Sequence, residues 1–192
     1  MTLTELDAAE RQEQTDAQCI VRSRFVPDAF AAVFDRHWSA LHAFCTARLG
    51  AAGEDIAAEV FRAAFDQRHR YDADYADARP WLYGIATNLI REHLRSRTRR
   101  ERALALASEL LNRPAPAGGP LDRIEARELG PELTAALGSL RDDDRDTFLL
   151  LAWADLDYEQ ISAALAIPVG TVRSRIHRAR RIIRKHLNEE MD

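Results

Sequence analysis

Only two cysteines, Cys19 and Cys45, occur in 192 residues. That is too few for a disulfide framework, and they are read as plain thiols. Long apolar stretches are missing too: the longest uninterrupted run, Phe148 to Ala154, is far too short to cross a bilayer. The first residues carry acid (Glu5, Asp7, Glu10, Glu13, Asp16) where a secretory signal would carry base. These absences predict a cytoplasmic protein with no membrane partner. There is no Gly-rich phosphate loop, no pair of metal-binding carboxylates beside a histidine, and no nucleophile motif, so an enzyme is not expected. His37, His42 and Cys45 invite a metal reading, but the five-residue step between the histidines puts them on different faces and no fourth ligand is nearby. Neither a metal nor a cofactor is expected.

What is present is charge sorted by position. The net charge is −4, yet the positive residues gather between Arg91 and Arg102 and between Arg173 and Lys185. Acid collects between those clusters, notably at Asp142, Asp143, Asp144 and Asp146. A chain sorted in this way can touch nucleic acid at two places and protein elsewhere. With 46% hydrophobic and 30% charged residues, it can bury one medium core or two small ones.

The stretch Arg79 to Arg100, RPWLYGIATNLIREHLRSRTRR, has two incompatible helix faces. Leu82, Ile85, Ala86, Leu89 and Ile90 form an apolar stripe at helical spacing, while Gly84, Asn88, Arg91, Arg95 and Arg99 form the opposite one. The apolar stripe must dock on a core. The basic one suits a nucleic-acid backbone, whose neutralised phosphates release counterions. Asn88, set among arginines, is better suited to a base edge than to a phosphate.

Ahead of this stretch, residues 1–24 read as a mobile acidic leader with room for a short helix. From Pro27, the positions Phe30, Phe34, Trp38, Leu41, Cys45 and Leu49 recur at helical steps up to Gly50, which ends the helix. A second helix opens after Gly53 with Glu54 and Asp55 where the helix dipole favours acid, and Ile56, Val60, Ala63 and Ala64 face inward. Its outer face carries a mainly acidic stripe of Asp55, Glu59, Arg62 and Asp66. Phe61 and Phe65 fall off the centre of the inner stripe, which fits a protein partner on this face. Tyr71 and Tyr75 in the loop to Ala78 are placed either to meet unstacked bases or to pack.

Prolines and glycines in NRPAPAGGP, Asn112 to Pro120, mark a tether. Beyond it, Asp142 to Ala154 reads as a helix burying Phe148, Leu149, Leu151 and Ala152. Asp157 then caps a second helix in a capping box with Gln160, and Ile161, Ala164 and Leu165 face inward. Ala166 to Val169 forms a turn, and a third helix from Gly170 to about Leu187 buries Val172, Ile176, Ala179 and Ile183. Length, turn and periodicity make this a helix-turn-helix. Arg173, Ser174, His177 and Arg178 are the expected base readers, with Arg180, Arg181, Arg184 and Lys185 on phosphates.

Three pieces then resemble the extracytoplasmic-function (ECF) group of bacterial RNA polymerase sigma factors: GEDIAAEVFRAAF (Gly53 to Phe65), the basic stretch from Arg79 to Arg100, and LDYEQISAALAIPVGTVRSRIHRARR (Leu156 to Arg181). The resemblance implies an all-α chain of two small helical domains joined by a flexible linker, the C-terminal one the helix-turn-helix. The boundaries would be a leader at 1–24, a region 2-like domain at 25–104, a linker at 105–132 and a region 4-like domain at 133–192. It implies a factor that binds core RNA polymerase, directs it to promoters and promotes melting. Asp55, Glu59, Arg62 and Asp66 would meet the clamp helices of the largest subunit. Asn88 would help to hold a flipped −10 base, with the Tyr71–Ala78 loop completing its pocket, while Arg91, Arg95 and Arg99 follow the strand. Arg173, Ser174, His177, Arg178 and Arg181 would read the −35 element beside the flap of the second-largest subunit. Members of the group often have an anti-sigma partner, and nothing in this sequence identifies one. The rival reading is a stand-alone helix-turn-helix regulator with a helical sensing domain, which would not need Asn88 among arginines.

Overall fold

The computed structural model describes residues 14–110 and 131–189, and every regular element among them is helical. The helices are α1 (Asp16–Ser23), α2 (Ala31–Leu49), α3 (Ala52–Gln67), α4 (Arg79–Leu110), α5 (Pro131–Gly138), α6 (Asp142–Ala152), α7 (Tyr158–Leu165) and α8 (Val169–Glu189). Short 3-10 turns at Pro27–Phe30 and Arg68–Arg70 complete the first group. Residues 1–13 of the expected leader and Asn112 to Pro120 of the expected tether lie outside the described residues.

The first domain packs α2 against α3 and both against α4. Its core is Val33, Leu41, Phe44 and Cys45 from α2, Val60, Phe61 and Ala64 from α3, and Leu82, Ala86 and Ile90 from α4. Gly50 ends α2 as its spacing predicts, at φ 61°, a backbone conformation costly for any residue with a Cβ. The outward reading of Phe61 is corrected. Its ring is buried 4.9 Å from Phe34, which stacks on Trp38 at 5.0 Å, so an aromatic cluster rather than an aliphatic stripe closes this side of α2 and α3. Phe65 meets Phe30 edge to face, with the Arg68 guanidinium over its ring.

Where the structure describes the leader, the short helix it has room for is present, but it is docked rather than mobile. Asp16–Ser23 is a helix that buries Ala17, Cys19 and Ile20 in the first domain's core, opened by a capping box between Thr15 and Gln18. Asp16 is the rivet. Its carboxylate accepts from Arg36 at 2.8 Å, from the Ala78 amide at 3.0 Å, and pairs with His37 Nε2 at 2.7 Å, tying α1 to α2 and to the start of α4. Burial raises its pKa, but these hydrogen bonds outweigh burial and hold it well below the usual carboxylate range. The His37 imidazole, considered above as a metal ligand, is therefore spent on a structural contact.

In the second domain α5 and α6 pack on α8, and α7 with α8 forms the helix-turn-helix. The capping box of Asp157 and Gln160 is present, and the turn passes through Ala166 at φ 51°. Val172, Ile176, Ala179 and Ile183 are buried, the stripe that periodicity predicts. On α6 the predicted face is off: Leu149 and Leu150 are buried, Phe148 and Leu151 half-buried, and Ala152 exposed. The helix turns Asp144 and Asp146 inward as well, so its burial does not follow hydropathy alone.

The two domains are in contact, α4 lying along α7. Gly84 makes this possible, because a Cβ there would come within 2.6 Å of the Ala164 carbonyl oxygen. This overturns its expected place on an open polar stripe. Helix α4 continues to Leu110, past residue 105 where the linker is expected to begin.

Candidate nucleic-acid interface

The basic face of α4 opens into a groove whose walls are α2, α4 and the N-terminal half of α6. Asn88, Arg91, Arg95 and Arg99 all line it, together with Arg48 and Arg102. A single 32-residue helix holds Asn88, Arg91, Arg95, Arg99 and Arg102 on one face, since steps of three and four keep residues in register over successive turns. Asn88, Arg95 and Arg99 are exposed. Arg91 is not free: its Nε donates to Asp146 Oδ2 at 2.6 Å and its Nη2 to Asp143 Oδ1 at 2.9 Å. The loop from Tyr71 to Ala78 contributes no wall to this groove. Tyr71 is a packing residue, buried with its ring 5.0 Å from Trp81 and its hydroxyl donating to the Tyr75 carbonyl, while Tyr75 is exposed. Burial pushes the Tyr71 phenol above its ordinary pKa.

On α8, Arg173, Ser174, His177 and Arg181 project outward and are exposed. The Ser174 hydroxyl donates to the Thr171 carbonyl at 2.9 Å, within its own helix. Arg178 is half-buried, with Nη1 3.6 Å from Asp144. Sequence reasoning missed three residues here. Arg48, at the end of α2, is buried and donates to Asp146 Oδ1 at 2.6 Å. Arg175 donates to Asp143 Oδ2 at 2.8 Å, so one carboxylate is shared by guanidiniums from α4 and α8. Asp146 itself is fully buried between Arg48 and Arg91. A hint was available, since four aspartates in five residues at the start of a helix exceed what the helix dipole calls for.

On α3 the acidic stripe faces solvent. Arg62 sits at its middle, hydrogen-bonded to Glu59 and, at 3.2 Å, to Asp66. Its guanidinium holds the Glu59 carboxyl below the usual range. Asp55 lies a turn ahead, exposed. The stripe is a mainly acidic exposed surface, suited to a partner of opposite sign.

The comparisons with known proteins divide the chain as the structure does. The family model described as Sigma-70 region 2 matches residues 33–100, and the one described as Sigma-70, region 4 matches residues 131–183. The ECF RNA polymerase sigma factor SigW of Bacillus subtilis is 31% identical over 173 residues, which cover 84% of this chain and 90% of SigW. SigE of Mycolicibacterium smegmatis, another ECF RNA polymerase sigma factor, is 37% identical over 134 residues, covering 70% of this chain and 51% of SigE. The match thus spans about half the length of that relative. Among solved structures, the sigma factor RpoE in complex with the anti-sigma factor NepR from Bartonella quintana superposes with a TM-score of 0.65 at 20% identity, covering 84% of this chain and 98% of RpoE, and shows the shared fold. Two family matches in the order of the two helical domains, and a relationship to SigW that runs through both, show that this chain belongs to the extracytoplasmic-function group of RNA polymerase sigma factors.

Proposed function

We propose that this chain works as a sigma factor, binding core RNA polymerase, directing it to promoters through −10 and −35 contacts and promoting melting for initiation. The observation that carries this is the presence, in one chain, of two basic helices on two separately matched domains. Helix α4 offers Asn88 with Arg91, Arg95 and Arg99 to a separated strand, where a base captured outside the stack offsets the loss of its partner. Helix α8 offers Arg173, Ser174, His177, Arg178 and Arg181 to a major groove. The acidic stripe of Asp55, Glu59, Arg62 and Asp66 is the surface for the polymerase clamp, and the second domain leans on the flap. Tethering the two readers raises the effective concentration of each once the other is engaged. The chemistry of RNA synthesis belongs to the polymerase, and this chain makes or breaks no bond itself. The described helices include none long and apolar enough to span a membrane, in keeping with a cytoplasmic site of action. The capture of RpoE with the anti-sigma factor NepR supports an anti-sigma partner for this chain as well.

Transcription with purified core polymerase and a cognate promoter tests this reading. Initiation that core alone lacks is expected; tight duplex binding without initiation would favour a stand-alone regulator. Asn88→Ala should slow promoter opening, read by permanganate footprinting, more than it weakens initial duplex binding. Equal loss in both would make Asn88 a structural residue.

A further inference from the structure

We infer that Asp144, at the start of α6, is a positioning residue that holds the Arg178 guanidinium in one orientation on α8 and thereby sets base preference within the −35 element. The effect on promoters rests on the sigma reading above, whereas the restraint on Arg178 stands on geometry inside the second domain. Asp144 is fully buried, its Oδ2 3.6 Å from Arg178 Nη1 and 3.3 Å from Arg141 Nε, and its Oδ1 has no hydrogen-bond partner among the described residues. A carboxylate closed off from water needs a compensating cation. The Arg141 side chain is 70% exposed and largely screened, whereas that of Arg178 is 33% exposed and lies against the buried charge. Arg178 therefore carries most of the compensation. Of the five side chains proposed to read the −35 element, only Arg178 has an ion pair with another helix among the described residues.

The neighbouring carboxylate shows what a tighter grip does. Asp143 Oδ2 accepts from Arg175 Nη2 at 2.8 Å, and the Arg175 side chain is only 17% exposed, so that arginine is spent on joining α8 to α6. Arg175 and Arg178 lie one turn apart, next to Ile176 and Ala179 of the buried stripe, and each meets an aspartate in the first turn of α6. At 3.6 Å the Asp144 contact is an ion pair beyond hydrogen-bonding length, which limits the rotamers of Arg178 without consuming its donors. It engages Nη1 and leaves the edge formed by Nε and Nη2, two parallel donors of the kind that pair with O6 and N7 of guanine in a major groove. An arginine held in advance loses less side-chain entropy on meeting its base. One without the restraint reaches neighbouring phosphates as readily, and phosphates carry no sequence. Asp144 thus acts on discrimination more than on affinity. Its charge repels DNA of every sequence alike, while its hold on Arg178 favours the one base that the guanidinium faces.

Asp144→Asn keeps the shape of the side chain and removes its charge. The full chain, alone and assembled with core polymerase, would select binders from a pool of random-sequence duplex DNA, and sequencing of the bound fraction gives the base preference at each position. Wild-type protein should show a preference that disappears in Arg178→Ala. At that position Asp144→Asn should reduce the preference about fivefold, the gain expected from ordering one long side chain beforehand, while the total DNA bound is maintained or rises. In an Arg178→Ala background the same change should have no further effect on preference, which a merely structural role of Asp144 would not produce. Unchanged preference in Asp144→Asn, an equal fall at every position, or an effect that persists without Arg178 would each overturn the inference, as would unaltered preference in Arg178→Ala. If Asp144→Asn does not fold, the wild-type chain still decides: nuclear magnetic resonance relaxation at Arg178 Nε should show an ordered guanidinium without DNA, and a freely moving one would sink the proposal. Transcription from the selected duplexes keeps the two readings apart. Initiation by wild-type protein with unchanged preference in Asp144→Asn would sink the positioning role alone. The expected preferences without initiation by any chain would sink the sigma reading alone.

Discussion

Asp146 on α6 and the trio Asp55, Glu59 and Asp66 on α3 are carboxylates of similar sequence context, each within an acidic helix that also carries arginine. Asp146 is fully buried and held by arginines from two other helices; in the trio, Glu59 and Asp66 pair with Arg62 of their own helix and Asp55 is exposed. Asp16 resembles Asp146, buried beneath Arg36, His37 and the Ala78 amide. The difference lies in where the partner comes from. A carboxylate whose partners are distant in sequence fixes tertiary structure, and removing it strands a buried cation. One paired within its own helix contributes little to stability and leaves a charged surface available for binding.

Replacing Asp146 with Ala should test this most severely. A loss of about 3 kcal/mol in urea denaturation is expected, because Arg48 is left buried without its carboxylate. The loss should shrink in a Gly84→Ala background, where a methyl pressed against the Ala164 carbonyl loosens the seam and lets water reach Arg48; an undiminished loss would mean that the Asp146 contacts do not depend on that seam. Asp16→Ala should cost about 2 kcal/mol, since charge-assisted hydrogen bonds join α1 to the core. The pH dependence has a definite sign. Folding depresses the Asp16 pKa, so its contribution is complete above the unfolded value of about 4 and is lost as the pH falls from there towards the lower folded value. Asp16→Asn should flatten that acid limb in thermal melts, and an unaltered limb would assign acid lability to other groups. The smallest change in stability belongs to the exposed trio. Converting Asp55, Glu59 and Asp66 to Asn or Gln should shift stability by only about 0.5 kcal/mol while markedly weakening retention of core polymerase in pull-down. A large stability loss, or full retention, would erase the distinction drawn here.

How far the sequence could be read follows the same division. Helix α8 was legible throughout, because Val172, Ile176, Ala179 and Ile183 repeat at helical steps and the capping box of Asp157 and Gln160 is local. The basic stripe of α4 was legible for that reason too, and Asn88, Arg95 and Arg99 do share one groove. Helix α1 was legible only as room for a short helix, and its docking was hidden by its brevity, although Thr15 and Gln18 already spelled its cap. Phe61 was misplaced because an aromatic cluster draws in a residue at the margin of an aliphatic stripe. The engagement of Arg91 by Asp143 and Asp146, and the contact of Gly84 with Ala164, join segments more than fifty residues apart. No periodicity within either segment encodes such a pairing.

Helix α1 bears on how this protein can be trimmed. The region 2 match starts at residue 33, yet Cys19 and Ile20 are almost wholly enclosed and Asp16 holds the amide that opens α4. Cutting the chain at the family boundary would uncover the apolar side chains that α1 covers and free the front of α4. A minimal DNA-contacting fragment must therefore retain everything from Thr15 onward to stay dissolved.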